Sequence, residues 1–200
     1  HGKTSTTGMA YHLFKDYDKT NVLIGDGTGY ATKGAKYFIA ECCEYKDHFL
    51  WYHPDYSYIN NIEMDHVDYF KSMEQYEQSF EKYANQAKKA IVIWGDDQAK
   101  NVINNEKGLS FDVYIYGDLF GHFTLPFYGM HTLYNTLGVI TLGYLEGMDF
   151  DYMQSQLSTF KGTKRRYAVK EVGNNVYVDE YAHHPTAIKY VIEETRTRFP

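Results

Sequence analysis

Cysteine is nearly absent from this chain: there are two in 200 residues, and they are the adjacent pair Cys42 and Cys43. Neighbouring cysteines rarely bridge, and one pair makes no disulfide framework, so a reducing, cytoplasmic setting is expected. Long apolar runs are missing as well. No segment approaches the roughly 20 residues of a membrane-spanning helix, and there is no signal-like h-region. A basic surplus is also lacking, the formal net charge being −6. Neutralising a nucleic-acid backbone takes a broad positive face, so such a partner is disfavoured, whereas a small anion needs only one local cationic site. Internal repeats and low-complexity tracts are absent. The remainder is ordinary for a globular domain: 44% hydrophobic and 23% charged residues predict a packed core. The 21 Tyr and 12 Phe are expected largely as amphipathic rings at strand faces. The chain opens at His1, without Met and already inside a Gly- and Thr-rich motif, from which further upstream sequence is expected.

Strand and helix signals alternate through the first half. Thr4 to Phe14 reads as a helix entered from a glycine turn. Asn21 to Ile24, Tyr37 to Ala40, Tyr56 to Asn60 and Ala90 to Trp94 read as short apolar strands, the last ended by Gly95-Asp96-Asp97. Apolar residues from Met73 to Lys89 recur at helical spacing. Strands alternating with helices predict an α/β fold with a mostly parallel sheet flanked by helices. Ser110 to Tyr116 and Leu119 to Leu125 then alternate around Gly117-Asp118, a β-hairpin signal. Helices are expected over His131 to Leu145, Asp151 to Phe160 and Pro185 to Arg198, the last with proline in its first turn. Val176 to Asp179 reads as a strand. A domain boundary is placed in the region 162–172, dividing the chain into 1–166 and 167–200.

Six segments carry chemistry. Gly2-Lys3-Thr4 opens a helix, where free amides and the positive dipole end form an anion site; Lys3 would reach phosphates and Thr4 a magnesium ion. Taken alone, a Gly-Lys turn before a Thr-rich helix is an equally good account. Glu41, at the end of a buried strand, suits Mg2+ coordination, though a solvated strand end fits too. The acidic loop from Asn60 to Phe70 holds His66 among carboxylates and is hard to explain by packing. His131 opens a helix with Asn135 one turn in. Lys161 to Tyr167 is a basic cluster containing Arg165 and Arg166, able to clamp phosphates or to be a solvated turn. Asp179 to Thr186 gathers carboxylates, His183, His184 and a helix start.

In this order the strings HGKTSTT, LIGDGTG, AECCEYKDHFLWYHPDY, NIEMDHVDYF, FKGTKRRY and DEYAHHPTAI resemble the Mur ligase family over nearly the whole chain. The resemblance implies a P-loop-type central ATP-binding domain over 1–166, without the strand that precedes the P-loop, followed by the start of a Rossmann-like C-terminal domain. It implies an ATP- and Mg2+-dependent amide ligase of peptidoglycan precursor synthesis that joins L-alanine to UDP-N-acetylmuramate through an acyl phosphate. A family member that attaches a murein tripeptide to the same UDP-sugar is the alternative, and a non-catalytic nucleotide-binding module a second. By motif, His1, Gly2, Lys3, Thr4 and Ser5 would bind ATP, with Thr4, Glu41 and His66 at metal ions. His131 and Asn135 would lie near the adenine, and Arg166 and Asp179 beside the nucleotide. Tyr181 and His183 would face the substrate, with Lys3, Glu41, His66 and His183 as the catalytic set. Two residues depart from the family pattern: Thr132 stands where Asn is usual and Glu180 where Asp is usual. The stretch 97–109 is also expected to be shorter than the family's, with a strand or loop missing between Gln98 and Asn101. Because relatives are about twice as long, the resemblance further implies that the chain alone does not complete the ligation.

Overall fold

The computed structural model describes residues 1–200 except Trp94, Asp96, Asp97 and Arg165. The expected strand end at Trp94, the turn at Asp96-Asp97 and the Arg165 member of the basic cluster therefore lie outside the described residues.

α1 (Lys3–Phe14) is buried on several sides, with Thr6, Gly8, Met9 and Leu13 all inside, which explains its weak amphipathic signature. β1 (Thr20–Leu23), β2 (Gly29–Tyr30) and β3 (Tyr37–Ala40) form a sheet in the order β2-β1-β3, with β1 parallel to β3. A short 3-10 segment (Tyr45–Trp51) leads to β4 (Tyr56–Tyr58). β4, α2 (Met73–Ala84) and β5 (Ala90–Val92) make a βαβ unit in which α2 carries the chain back to a parallel pairing. Ser72 caps α2 by accepting from the Gln75 amide. The helix stops at Ala84, short of the expected Lys89.

The parallel pairs thus occupy two short sheets. Glu146, capping α3, ties them together by accepting from Tyr37 Oη of β3 at 2.8 Å and Tyr56 Oη of β4 at 2.7 Å.

The expected hairpin belongs to a three-stranded antiparallel sheet of β6 (Ala99–Asn105), β7 (Gly108–Ile115) and β8 (Asp118–Leu125). β6 has no counterpart among the strands expected from the sequence. Its pairing with β7 shifts register between Lys100 and Ile103, and Asn101 adopts φ 51°, so its side chains do not alternate cleanly and the sequence hides the strand. The main core lies between this sheet and the helices α1, α3 (Met130–Leu145) and α4 (Phe150–Ser158). There Leu13, Phe111, Phe123, Leu137, Ile140 and Leu157 are fully buried. β9 (Ala168–Val172), unforeseen within the boundary region, pairs with β10 (Asn175–Asp179), and α5 (Pro185–Arg198) follows. Among the described residues no helix is long and apolar enough to cross a membrane.

One position tests the packing of α3 on β4. A Cβ at Gly138 would stand 2.2 Å from Cζ of Tyr58, whose hydroxyl donates to the Tyr134 carbonyl at 3.0 Å. Gly138→Ala is therefore expected to destabilise the fold by at least about 1 kcal/mol, overpacking outweighing alanine's better helix propensity. Urea unfolding would measure this, and an unchanged midpoint would mean that β4 yields freely.

Candidate functional site

The N-terminus of α1 is the centre of the site. Gly2 has φ +82°, and a Cβ there would meet Asn135 Oδ1 at 2.6 Å, so only glycine fits. No side chain caps this helix end, which leaves its first-turn amides for an anion. Lys3 Nζ donates to both oxygens of Glu44, at 3.0 and 2.7 Å. Glu44 is buried, and His66 Nε2 lies 3.8 Å from its Oε1. Burial alone would raise the Glu44 carboxyl; the charge and hydrogen bonds of Lys3, with His66 behind them, hold it below the usual carboxylate range instead.

The Glu44 turn is fixed by contacts that the sequence did not reveal. Lys46 and Asp47 both adopt left-handed backbone, with φ 53° and 59°. Asp47 accepts from Tyr69 Oη at 2.5 Å and from Ser79 Oγ of α2, while Tyr45 Oη donates to Asp68 at 2.7 Å. His66 itself has φ 53°, an uncommon conformation for a non-glycine residue held within the acidic loop.

Glu41 plays a different part. Its Oε1 accepts from Thr4 Oγ1 at 3.0 Å and its Oε2 from the Gly25 amide at 2.7 Å, so both oxygens are engaged. Arg166 Nη2 donates to Thr4 Oγ1 at 3.2 Å, and Arg166 Nη1 pairs with Glu180 Oε1 at 3.2 Å. Glu180 Oε2 also accepts from the Tyr167 amide at 2.6 Å. The basic cluster is thereby brought onto the helix start through Arg166.

On the far wall, Asn135 Oδ1 accepts from Asn60 Nδ2 at 2.8 Å. His131 stacks on Tyr190 at 5.5 Å between ring centres, and its Nε2 lies 3.2 Å from Glu194 Oε2. Burial drives this pair toward neutrality, with His131 lowered to about 4 and Glu194 raised to about 8.

His1, Gly2, Lys3, Thr4, Ser5, Glu41, His66, His131, Asn135, Arg166 and His183 all line one cavity of about 470 Å³. Asp179 and Tyr181 do not: Asp179 is exposed at the end of β10, and Tyr181 is 54% exposed beneath the Arg166 guanidinium. Glu180, not Asp179, reaches the cavity. A larger cavity of about 620 Å³ lies between β3 and β4, but Thr4, Arg166 and His183 do not line it. The smaller one, where the anion-binding groups converge, is the site. Glu44, which lines the larger cavity and reaches the site through Lys3 and His66, was the residue missed. Its signal was a second carboxylate three positions beyond the strand-end glutamate.

Comparison with known proteins bears directly on this geometry. The family description Mur ligase middle domain matches residues 1–122. UDP-N-acetylmuramate--L-alanine ligase of Lacticaseibacillus paracasei is 42% identical over 223 aligned positions, covering 100% of this chain and 51% of the relative. The chain thus spans about half the length of the curated relative it matches. Among solved structures, the UDP-N-acetylmuramate-alanine ligase of Thermotoga maritima superposes with a TM-score of 0.86 at 23% identity, covering 100% of this chain and 53% of that one. A MurF ligase of Thermotoga maritima in complex with ADP gives a TM-score of 0.81 at 18% identity, covering 100% and 56%. At these identities the two structures establish a shared fold.

Proposed function

The chain belongs to the Mur ligase family, and from that premise we propose that it is the ATP-binding part of an ATP-dependent ligase joining L-alanine to UDP-N-acetylmuramate. The observation that carries the reading is the constellation at the start of α1. Lys3, the Thr4 hydroxyl, buried Glu44 and His66 surround a helix end whose amides are uncapped.

The chemistry follows from what a carboxylate lacks. Its carbon is a poor electrophile until one oxygen becomes a leaving group. A carboxylate oxygen of the sugar substrate attacks the γ-phosphorus of ATP, and ADP leaves. The amine of L-alanine then adds to the acyl carbon, loses a proton, and phosphate departs as the amide forms. In this reading Lys3 and the α1 amides hold the outer phosphates, where negative charge accumulates. Mg2+, when bound, neutralises phosphate charge and orients the γ-phosphoryl group. The donors suit it: one hydroxyl and one carboxylate supply hard oxygens, with His66 as a neighbour and room for water. Glu41 orients Thr4 rather than serving the ion itself, and Arg166 links the phosphate loop to Glu180. In the same reading His183, on the cavity wall, takes the proton released by the amine. His131 and Asn135 line the wall assigned to the adenine.

Calorimetry tests this on the chain itself. Mg-ATP is expected to bind, and Lys3→Ala to weaken it beyond detection. Unchanged affinity in Lys3→Ala would put the nucleotide elsewhere and favour a non-catalytic module.

A further inference from the structure

Three side chains from distant parts of the sequence meet at the edge of the cavity. His1 precedes α1, Glu63 lies in the loop after β4, and His184 caps α5; their ligand atoms all lie within 4.8 Å of one another. His1 Nε2 is 3.5 Å from Glu63 Oε2, and His184 Nδ1 is 3.8 Å from Glu63 Oε1. Those separations are too long for charge-assisted N–H···O hydrogen bonds, which run about 2.7–2.9 Å. They run to different oxygens of the one carboxylate, and each is close to the spacing that a nitrogen and an oxygen donor adopt around a small tetrahedral ion. Bonds of about 2.0–2.1 Å to nitrogen and 2.0–2.2 Å to oxygen put neighbouring donors about 3.3 Å apart.

Two further observations point the same way. His1 Nε2 is buried yet has no hydrogen-bond partner, an arrangement that a protein interior rarely leaves unanswered. Glu63 is already oriented, because Thr186 Oγ1 donates to its Oε1 at 2.5 Å, as outer-shell groups commonly do for a ligating carboxylate. The imidazoles of His1 and His184 pack at 4.2 Å between centres, which holds both rings beside the same carboxylate.

We propose that His1, Glu63 and His184 form a binding site for a divalent transition ion of the Zn2+ class, distinct from the phosphate-side Mg2+ position. Two imidazole nitrogens and one carboxylate oxygen suit Zn2+, Co2+ or Ni2+, whereas Mg2+ prefers oxygen donors and retains its waters. Three protein ligands leave a fourth position toward the cavity, open to water or a ligand oxygen. The Thr186 amide now donates to His184 Nδ1 at 3.3 Å, a long bond that an ion on that atom would displace at small cost. The bound ion would pin the start of α5 to the phosphate loop. The proposal does not rest on the ATP reading, since the site is complete without nucleotide.

A competing cluster, Cys43 with Glu44 and His66, also offers three ligand atoms within 4.8 Å, and the test must separate the two. Co2+ and Zn2+ are titrated into the nucleotide-free protein with Mg2+ in excess, following the cobalt spectrum and calorimetry. The expected result is one ion bound without a sulfur-to-cobalt charge-transfer band. Glu63→Gln and His184→Asn should each weaken it at least about tenfold, and Thr186→Val about tenfold. Asn at 184 keeps a helix-capping acceptor, so the fold is preserved. Cys43→Ser should leave this binding unchanged. Retention of the ion in both ligand variants, a thiolate band lost in Cys43→Ser, or no uptake in the presence of Mg2+ would overturn the proposal.

Discussion

Glu44→Gln is expected to remove the Mg2+ dependence of ATP binding while improving metal-free ATP binding. Both effects follow from where the carboxylate sits. Glu44 occupies Lys3 with two short hydrogen bonds, so a phosphate group must displace it to reach the ammonium. Removing the charge frees Lys3, and ATP in EDTA should bind a few-fold more tightly. The same carboxylate faces His66 and, unlike Glu41, accepts from no amide or hydroxyl of the phosphate loop among the described residues. Losing it should weaken the Mg2+-linked part of the affinity by about 100-fold, at the upper end of outer-shell effects because a ligand itself is lost. Glu41→Gln should do less, about tenfold, because Gln keeps an acceptor for Thr4 or the Gly25 amide and forfeits only the orientation of Thr4. Calorimetric titration of ATP at graded Mg2+ concentrations distinguishes the two. If Glu41→Gln abolishes the Mg2+ dependence and Glu44→Gln leaves it intact, the strand-end glutamate holds the ion after all.

That pair of glutamates also marks how far the sequence could be read. Glu41 was legible because it ends an apolar run, and strand ends are where α/β sheets place their ligands. Glu44 lies in a turn whose direction depends on left-handed backbone at Lys46 and Asp47, residues with no glycine-like signal, and on Asp47 contacting a helix 32 residues away. Local pattern carries no trace of such a tertiary anchor. A similar limit separates Asp179 from Glu180. Successive residues at a strand end point to opposite faces, so a one-residue uncertainty decides which carboxylate meets Arg166. By contrast, α5 begins and ends where expected, because Pro185 fixes its first turn through a property of the residue itself. The βαβ unit was legible for a similar reason: its strands are short apolar runs, and α2 repeats its buried residues Tyr76, Ser79 and Tyr83 at helical spacing. β6 was not, since its bulge breaks the alternation on which strand recognition depends.

The contact between His131 and Glu194, 63 positions apart, was equally invisible, and it leads to a pH dependence with a definite sign. Glu194 is raised to about 8, first by burial and then by the charge of Glu180, with Arg198 opposing. His131 is lowered to about 4 by burial. At neutral pH both groups are therefore uncharged in the folded protein. For Glu194 the unfolded chain ionises near pH 4.5 while the folded chain holds its proton to about pH 8, so its contribution to stability falls as pH rises between those values. For His131 the unfolded chain gains a proton below pH 6.5 and the folded chain only near pH 4, so its contribution rises with pH over that window. The two slopes oppose each other below pH 6.5, and above it only the loss from Glu194 remains. Unfolding free energy is thus expected to fall by up to about 2 kcal/mol between pH 6.5 and 8, that being about 1.4 kcal/mol for each pH unit of unmatched proton uptake. Glu194→Gln keeps the shape and a hydrogen-bonding group without the titration. It should flatten this decline, so that its stability relative to the parent rises by up to about 2 kcal/mol between pH 6.5 and 8. Urea unfolding across pH 6.5 to 8 measures both curves. Parallel slopes in parent and variant would show that the folded pair holds no extra proton above pH 6.5, with Glu194 already ionised there, and would overturn the neutral contact between the start of α3 and α5.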